Sequence, residues 1–200
     1  LNRKQYSQWG EDLYINSFFK NKNKGIYLDI GCFHPVMYSN TCLLYKKGWR
    51  GINIDINKTS IDLFNILRPK DINICTAISK KKTFFKAYID DPFSPVNTIN
   101  KKFYKNFNKS FFKNKEILKI RSNTMKEIVD LSNIKKIDYV NIDAEGSDFE
   151  ILKQLDLIKH QVKLLSIETH NVDGTPTKNF DAIKKFLKKK NYSIFKRVGP

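Results

Sequence analysis

The stretch Lys24–Pro35, which reads KGIYLDIGCFHP, constrains the fold of this chain more than any other part of it. A short β-favouring run, Ile26–Ile30, ends in a loop that begins at Gly31, and apolar side chains then recur at helical spacing over residues 37–47. A strand, a tight turn and a helix in this order begin a doubly wound α/β sheet, in which ligands bind outside the carboxyl ends of the strands. Asp29 and Gly31 are therefore predicted to lie beside a ligand.

Strands and helices continue to alternate along the rest of the chain. Further strands are predicted over about Ile52–Asp55, Ile72–Ile78, Thr83–Ile89, Ile137–Asp143, Val162–Thr169 and Tyr192–Val198. Further helices are predicted over about Tyr6–Lys20, as an N-terminal cap on the sheet, and over Lys58–Leu67, Asn123–Leu131, Phe149–Leu157 and Thr177–Lys190. This alternation predicts an α/β protein with a doubly wound, mostly parallel sheet, and residues 1–200 are expected to form a single domain.

Residues 90–115 interrupt the alternation. This segment reads DDPFSPVNTINKKFYKNFNKSFFKNK and combines prolines with lysines, asparagines and interleaved aromatic residues. Such a composition suits a platform for single-stranded nucleic acid, but it is more typical of a lid whose rings pack on the domain. We therefore interpret the segment as an inserted lid on the substrate side of the site.

The formal net charge of the chain is +17, which by itself would favour a nucleic-acid partner. Arginine is the basic residue that phosphate recognition favours. It accounts for only five of the 37 basic residues: Arg3, Arg50, Arg68, Arg121 and Arg197. We therefore interpret the lysines as solvated surface and do not expect nucleic acid as a partner.

The cysteine pattern predicts a reducing, cytoplasmic location. Cys32, Cys42 and Cys75 are odd in number, widely spaced and without a C-x-x-C pair. No stretch is long and apolar enough for a transmembrane helix, and no signal peptide is visible. Because Leu1 is not a start residue, we expect the chain to begin within a longer protein.

The loop after the first strand argues against a phosphate-bearing ligand. A dinucleotide site needs G-x-G-x-x-G, so that bare backbone can approach the pyrophosphate. Here bulky Cys32, Phe33 and His34 follow Gly31, Pro35 offers no N–H, and no Walker-type motif occurs. S-adenosylmethionine has no phosphate, and its ammonium, sulfonium and ribose hydroxyls suit carboxylates placed at strand ends.

Two strand-end acids fit that cofactor. Asp29 is expected to serve its amino-acid end, directly or through water, and Asp55 is expected to accept both ribose hydroxyls from the end of the second strand. Ile56 is then expected to pack on the adenine. The alternative is that both acids only cap loops; we prefer the cofactor role because they end two successive strands.

Several short motifs also occur together in the order typical of one family. They are Ser7-Gln8-x-Gly10-Glu11-Asp12, Asp29-Ile30-Gly31 with His34-Pro35, Ser39-Asn40-Thr41, Gly48-Trp49-x-Gly51-Ile52-Asn53-Ile54-Asp55, Arg68-Pro69-x-Asp71 and Ile142-Asp143-x-Glu145-Gly146. On these residues the chain resembles the FkbM-type S-adenosylmethionine-dependent methyltransferases from near its start to about residue 170. The resemblance implies a Rossmann-like class I methyltransferase fold and O-methylation, most often of a sugar hydroxyl in a glycan, polysaccharide or natural product.

We also assign Gln8, Asn40 and Ala77 to the cofactor site. The chain departs from the family pattern in the first loop. Many members carry a small residue, an asparagine and a second glycine there, whereas this chain has Cys32, Phe33 and Pro35.

The strands predicted beyond the reversal of strand order end in Asp143-Ala144-Glu145-Gly146 and Glu168-Thr169-His170. A sugar hydroxyl is a poor nucleophile, so its methylation needs alignment and a base that takes its proton. We predict Asp143, Glu145 and His170 as catalytic residues, and among these side chains an imidazole titrates closest to neutral pH. Asp143, Glu145 or Glu168 could instead bind Mg²⁺ that holds a sugar diol, which the sequence does not separate from base catalysis.

The sequence therefore predicts an S-adenosylmethionine-dependent O-methyltransferase that acts on a hydroxyl of a sugar, a glycan or another natural product. One alternative is an RNA methyltransferase, which the charge favours, although the Asp/Asn-Pro-Pro-Tyr/Phe motif and a Lys-Asp-Lys-Glu set are missing. Another is a non-catalytic module of the same fold that binds glycan or nucleic acid. The acceptor, the position methylated and the oligomeric state are left open.

Overall fold

The computed structural model describes residues 5–91, 94–95, 97–106, 116–170 and 175–199. The helices are α1 (Glu11–Phe18), α2 (Cys42–Lys46), α3 (Lys58–Leu67), α4 (Lys101–Asn106), α5 (Met125–Ser132), α6 (Asp148–Leu152) and α7 (Phe180–Lys188). The strands are β1 (Ile26–Ile30), β2 (Arg50–Asp55), β3 (Ile72–Cys75), β4 (Ala77–Ile78), β5 (Phe84–Ile89), β6 (Glu116–Asn123), β7 (Tyr139–Ile142) and β8 (Leu164–Ile167). None of the described helices is long and apolar enough to cross a membrane.

Among the described residues, five strands form a central sheet in the order β3-β2-β1-β7-β8. Every neighbouring pair in it is parallel. The chain moves outward from β1 to β3 and then returns to the other side of β1 with β7, so the strand order reverses between β1 and β7. This confirms the predicted doubly wound α/β fold of Rossmann-like type, and a crevice is expected at the reversal.

Helices cover both faces of the central sheet, because side chains alternate between the faces along each strand. Leu28 and Ile30 of β1 join the isoleucines and valines of β2 and β7 in the main core, which α5, α6 and α7 cover. Tyr27 points to the opposite face, where it packs in a second core with Trp49, α1 and α2. Covered faces explain why apolar residues predominate in β1, β7 and β8, each of which has one polar residue: Asp29, Asn141 and Ser166.

The chain continues from β3 into a second sheet instead of ending at the edge of the first. At the break, the Thr76 N–H donates to the Asp55 carbonyl over 2.9 Å, and the Thr76 hydroxyl donates to the Asn123 side-chain oxygen over 3.0 Å. β4 then pairs with β6, which pairs antiparallel with β5. The single strand predicted over Ile72–Ile78 is therefore two strands in two sheets, whereas the strand predicted over Thr83–Ile89 is confirmed as β5.

The insert predicted over residues 90–115 lies between β5 and β6. The structure describes residues 90–91, 94–95 and 97–106 of it, including α4, and the rest of that prediction lies outside the described residues. Thr98 forms an antiparallel bridge with Tyr88 of β5, and the ring of Tyr104 stacks on that of Tyr88 with centroids 4.2 Å apart. These contacts dock the described part of the insert on β5.

The helix predicted over residues 37–47 is shorter than expected, because its first half is a folded loop. Tyr38 has a φ of +53°, which a right-handed helix does not allow. The hydroxyls of Ser39 and Thr41 accept hydrogen bonds from the Arg68 guanidinium. Long-range bonds to the loop therefore override the local helical pattern, and only α2 remains.

Two predictions near the chain ends are also corrected. The helix predicted from Tyr6 begins only with α1, because the Asp12 carboxylate accepts a hydrogen bond from the Tyr6 N–H over 2.7 Å and folds the preceding residues back. The strand predicted over Tyr192–Val198 does not form, since these residues pair with no described strand. Phe195 packs edge-on against Phe18 of α1 instead, with ring centroids 5.3 Å apart.

Candidate active site

A cleft opens at the carboxyl ends of the central strands, where the strand order reverses between β1 and β7. It encloses about 600 Å³, part of which is open to solvent. The residues that follow β1, β2, β3 and β7 line it, together with the insert between β5 and β6. Its position is the one at which doubly wound sheets bind their ligands.

The structure brings together most of the residues predicted to bind the cofactor. Four of the seven line the cleft: Gly31, Asp55, Ile56 and Ala77. Asp29 and Asn40 lie outside its walls, and Gln8 is exposed on the surface before α1.

Asp55 joins the loop after β1 to the start of α3. Its two carboxylate oxygens accept hydrogen bonds from the N–H of Phe33 over 2.9 Å and from the N–H of Asn57 over 2.8 Å. Burial raises the pKa of Asp55 to about 6, against the opposing effect of these backbone donors. Each oxygen keeps a further lone pair, so the carboxylate can accept hydrogen bonds from a ribose diol in the cleft.

Asp29 lies outside the cleft wall and is 2% exposed. Its carboxylate accepts hydrogen bonds from the Thr41 hydroxyl over 2.6 Å and from the Asn141 amide over 3.0 Å. Asn40 in turn donates to the Asn141 side-chain oxygen over 2.9 Å. These residues hold the loop above them, and a direct contact between Asp29 and a cofactor stays a prediction.

Gly31 is required by the close approach of two strand ends. Its φ is +72°, and a Cβ at this position would lie 1.6 Å from the carbonyl oxygen of Asp143. No side chain fits there, so the loops after β1 and β7 meet as bare backbone. This close approach brings the two halves of the cleft together.

Three carboxylates gather on the β7–β8 side of the reversal. Oxygens of Asp143, Glu145 and Glu168 all lie within 4.8 Å of one another. Asp143 and Glu145 line the cleft, and Glu168 follows β8 beside them. Such an oxygen-rich group can hold a hard cation such as Mg²⁺ or share protons, and magnesium binding stays a prediction.

The same three groups hold protons more tightly than ordinary carboxyls. The Asp143 side chain opens into the cleft, and those of Glu145 and Glu168 are half-buried. Burial is the main cause of the raised pKa at all three residues, and neighbouring negative charges add to it. Asp148 acts in this way on Asp143, and Asp143 on both glutamates. Raised pKa values suit groups that take up a proton near neutral pH.

Side chains from two directions hold the loop after β7. The Asp148 carboxylate accepts hydrogen bonds from the N–H of Ala144 over 2.7 Å and from the N–H of Gly146 over 3.0 Å. From the insert, the Thr98 hydroxyl donates to the Glu145 carbonyl over 3.1 Å, and the Asn100 amide donates to the Gly146 carbonyl over 3.0 Å. Because Glu145 has a left-handed φ of +46°, which costs a non-glycine residue energy, these bonds help to hold its conformation.

His170, the third predicted catalytic residue, is not among the residues that line the cleft. It follows β8, forms a bridge with Pro176, and its Nδ1 lies 3.4 Å from the Thr169 hydroxyl. Residues 171–174 beside it lie outside the described part of the chain, so its role as a base stays a prediction. Sequence reasoning missed Asp148, for which the only local signal was an acid in the first turn of a helix.

A comparison with protein families supplies the remaining evidence. The profile of the FkbM methyltransferase domain matches residues 22–194, which include the central sheet and every cleft-lining residue named above. Comparisons with curated proteins and with solved structures gave no match. Since the match spans most of the chain, the chain belongs to the FkbM methyltransferase family.

Proposed function

We propose that the protein is an S-adenosylmethionine-dependent O-methyltransferase that methylates a hydroxyl of a sugar, a glycan or another natural product. The observation that carries this proposal is the division of the cleft. A single carboxylate, Asp55, lies on the β2 side of the strand reversal, and the group of Asp143, Glu145 and Glu168 lies on the other side. One cleft thus offers separate places for a methyl donor and an acceptor.

The residues on the β1–β2 side fit S-adenosylmethionine. Asp55 would hold the ribose hydroxyls, and the apolar side chains of Ile56 and Ala77 would contact the adenine. The methionine end would lie above Gly31 and the loop that Asp29 supports. When bound, the cofactor supplies an activated methyl group.

The residues on the β7–β8 side fit a neutral, hydroxyl-rich acceptor. Carboxylates accept hydrogen bonds from hydroxyls, and they repel phosphate groups. Asp143 would hold the acceptor hydroxyl and take its proton, with Glu145 orienting the acceptor and Glu168 sharing the proton. Orientation and proton uptake are the two tasks that the chain's own side chains have to perform here.

The cofactor assignment is tested by calorimetric titration with S-adenosylhomocysteine. We expect the parental protein to bind it and Asp55→Asn to weaken binding by about 1–3 kcal/mol, the usual loss for a charged hydrogen-bond partner. The control is Asp62→Asn, since Asp62 is an exposed residue of α3 that is ion-paired with Lys58 at 2.6 Å. Preferential binding of NAD by the parental protein would overturn the proposal.

The acceptor assignment is tested by methyl transfer from labelled S-adenosylmethionine to a panel of sugars and oligosaccharides. We expect Asp143→Asn to spare cofactor affinity and to lower turnover by about 10²- to 10⁴-fold, as for other missing general bases. Activity is expected to survive EDTA. Loss in EDTA with recovery in Mg²⁺ would make the carboxylates a metal site, and a loss in His170→Ala alone would transfer the base role to His170.

The net charge of +17 keeps an RNA acceptor as the second candidate. An RNA acceptor should compete with sugars for the cleft, and its binding should fall steeply with salt through counterion release. We expect RNA to bind weakly and without effect on S-adenosylhomocysteine affinity or turnover.

The cytoplasmic location, which the cysteine pattern predicts, is part of the same proposal.

A further inference from the structure

Arg68 has the largest buried charged side chain among the described residues and follows directly after α3. It is 1% exposed, and its guanidinium lies over the rings of Tyr45 and Phe64, at 5.3 Å and 4.9 Å from their centroids. The guanidinium lies on the face of the sheet opposite the main core. A buried charge of this kind is often no more stabilising than an apolar residue of the same size, so its presence suggests a task other than stability.

Both terminal nitrogens of the guanidinium donate hydrogen bonds to the loop after β1. One nitrogen, Nη2, donates to the carbonyl of Pro35 and to the Ser39 hydroxyl, the latter over 2.9 Å. The other, Nη1, donates to the Thr41 hydroxyl over 2.8 Å. Three residues of one loop are thus fixed by one planar side chain.

The contact at Thr41 extends to Asp29. Since the Thr41 oxygen accepts from Arg68, its proton is directed to the Asp29 carboxylate, which it reaches over 2.6 Å. Nη1 also lies 3.3 Å from the Tyr27 hydroxyl, which donates to Asp71. Arg68 therefore sets both the shape of the loop and the orientation of the donor to Asp29.

We propose that Arg68 is a positioning residue: it holds residues 35–41 and the Asp29 carboxylate in the arrangement that supports Gly31 and Phe33, where the amino-acid end of the cofactor would bind. This inference rests on the proposed function. Asp55 accepts its hydrogen bonds from Phe33 and Asn57, whereas Arg68 donates to residues further along the loop, so we expect Arg68 to act mainly on the amino-acid end of the cofactor. Lysine cannot replace it, because an ammonium lacks the planar fork that reaches both sides of the loop.

The experiment compares two ligands that share the adenosine part. S-adenosylhomocysteine carries the amino-acid end, whereas methylthioadenosine lacks it. We expect Arg68→Lys to weaken S-adenosylhomocysteine about 10- to 100-fold in calorimetric titration, the range for one lost charge-assisted bond, and to leave methylthioadenosine within about threefold of the parental value. Asp55→Asn should weaken both ligands.

The matched control is Arg50→Lys, because Arg50 also stacks on the Tyr45 ring, at 4.8 Å, whereas within the described part of the chain its side chain donates to the neighbouring Trp49 carbonyl alone. It should change neither affinity. If Arg68→Lys does not fold, Thr41→Val removes the relaying hydroxyl at nearly constant volume and should show the same selective loss. Thr41→Ser should restore binding.

The outcomes separate the two proposals. Parental protein that binds neither ligand would overturn the proposed function itself. Parental binding with equal losses for both ligands in Arg68→Lys would make Arg68 a purely structural residue and overturn this inference alone. Parental-level binding of S-adenosylhomocysteine by Arg68→Lys, or by Thr41→Val where Arg68→Lys is unfolded, would overturn it as well.

Discussion

Gly31 lets the loops after β1 and β7 lie in contact, because it has no side chain. The loops after β1 and β7 approach so closely that a Cβ would overlap the Asp143 carbonyl oxygen, at 1.6 Å. Moving either loop away would shift Asp143 and the bonds that Gly31 and Cys32 make to the Ile54 carbonyl. The geometry between the β1–β2 side and the β7–β8 side of the cleft is thus fixed by backbone contact.

This contact gives a prediction on stability. Gly31→Ala is expected to destabilise the fold by about 3 kcal/mol or more, because left-handed strain and a backbone clash act together. Gly48→Ala is the control: its φ is also left-handed, at +97°, but its Cβ would meet nothing closer than 3.8 Å. It should cost about 1–2 kcal/mol, the strain alone. Chemical denaturation of both variants measures the difference, and equal losses would contradict the clash.

Asp55 gives a prediction on pH. Its pKa is raised to about 6, and only its ionised form can accept hydrogen bonds with both oxygens from a ribose diol. The affinity for S-adenosylhomocysteine is therefore expected to rise as the pH passes upward through about 6 and to level off above it. Calorimetry over this range is the measurement. The rise should disappear in Asp55→Asn, and an unchanged pH profile in that variant would assign it to another group.

At the scale of elements, the insert acts on the site through a few hydrogen bonds. Thr98 both pairs with β5 and donates to the loop that carries Glu145. Thr98→Val keeps the shape of the side chain and removes its hydroxyl, which also accepts from the Asn100 N–H over 2.9 Å; each of these two bonds is worth about 1 kcal/mol. We expect about fivefold faster tryptic cleavage within the lysine-rich insert, because local opening becomes more frequent.

The control for this prediction is Thr59→Val in α3, a threonine on a different element, which should leave the cleavage rate unchanged. The same Thr98→Val protein should bind S-adenosylhomocysteine with parental affinity. A parental cleavage rate would mean that the Thr98 hydroxyl does not hold the insert and that its other contacts are sufficient.

At the scale of the whole molecule, the three clustered carboxyls act on stability. Their pKa values are higher in the folded protein than in the unfolded chain. At a pH between the unfolded-state and folded-state pKa values, the folded protein therefore binds more protons than the unfolded chain does. The free energy of unfolding is therefore expected to fall as the pH rises from about 5 to about 8. Glu168→Gln should flatten this fall, as denaturation at several pH values can measure. An equal slope in that variant would show that Glu168 does not contribute to the pH dependence.

How far the sequence alone could predict the fold depended on the range of the contacts. Ile26–Ile30 and Lys58–Leu67 were predicted with the bounds that the structure has, because the β-favouring residues of the strand and the proline after the helix, Pro69, act locally. The helix over residues 37–47 was wrong in its first half, because a distant side chain, Arg68, holds that part as a loop. No local pattern carries such information.

The same distinction holds for the site. Asp55, Asp143 and Glu145 were found by the rule that ligands lie at strand ends, and all three line the cleft. Thr98 was not singled out and Arg68 was noted only as part of a motif, since each acts through residues more than twenty positions away. Their roles become visible only when the strands are placed side by side.

The break at Thr76 has a consequence for how such a chain can diversify. Beyond it, the Ser79 N–H donates to the Asn123 carbonyl over 3.0 Å, so the chain leaves for β5 and returns from β6 through neighbouring residues. Residues 80–122 therefore leave and rejoin the rest of the chain side by side. We expect that exchanging residues 80–122 between relatives would transfer acceptor preference while leaving S-adenosylhomocysteine affinity unchanged. Acceptor preference and cofactor affinity could then change independently during evolution.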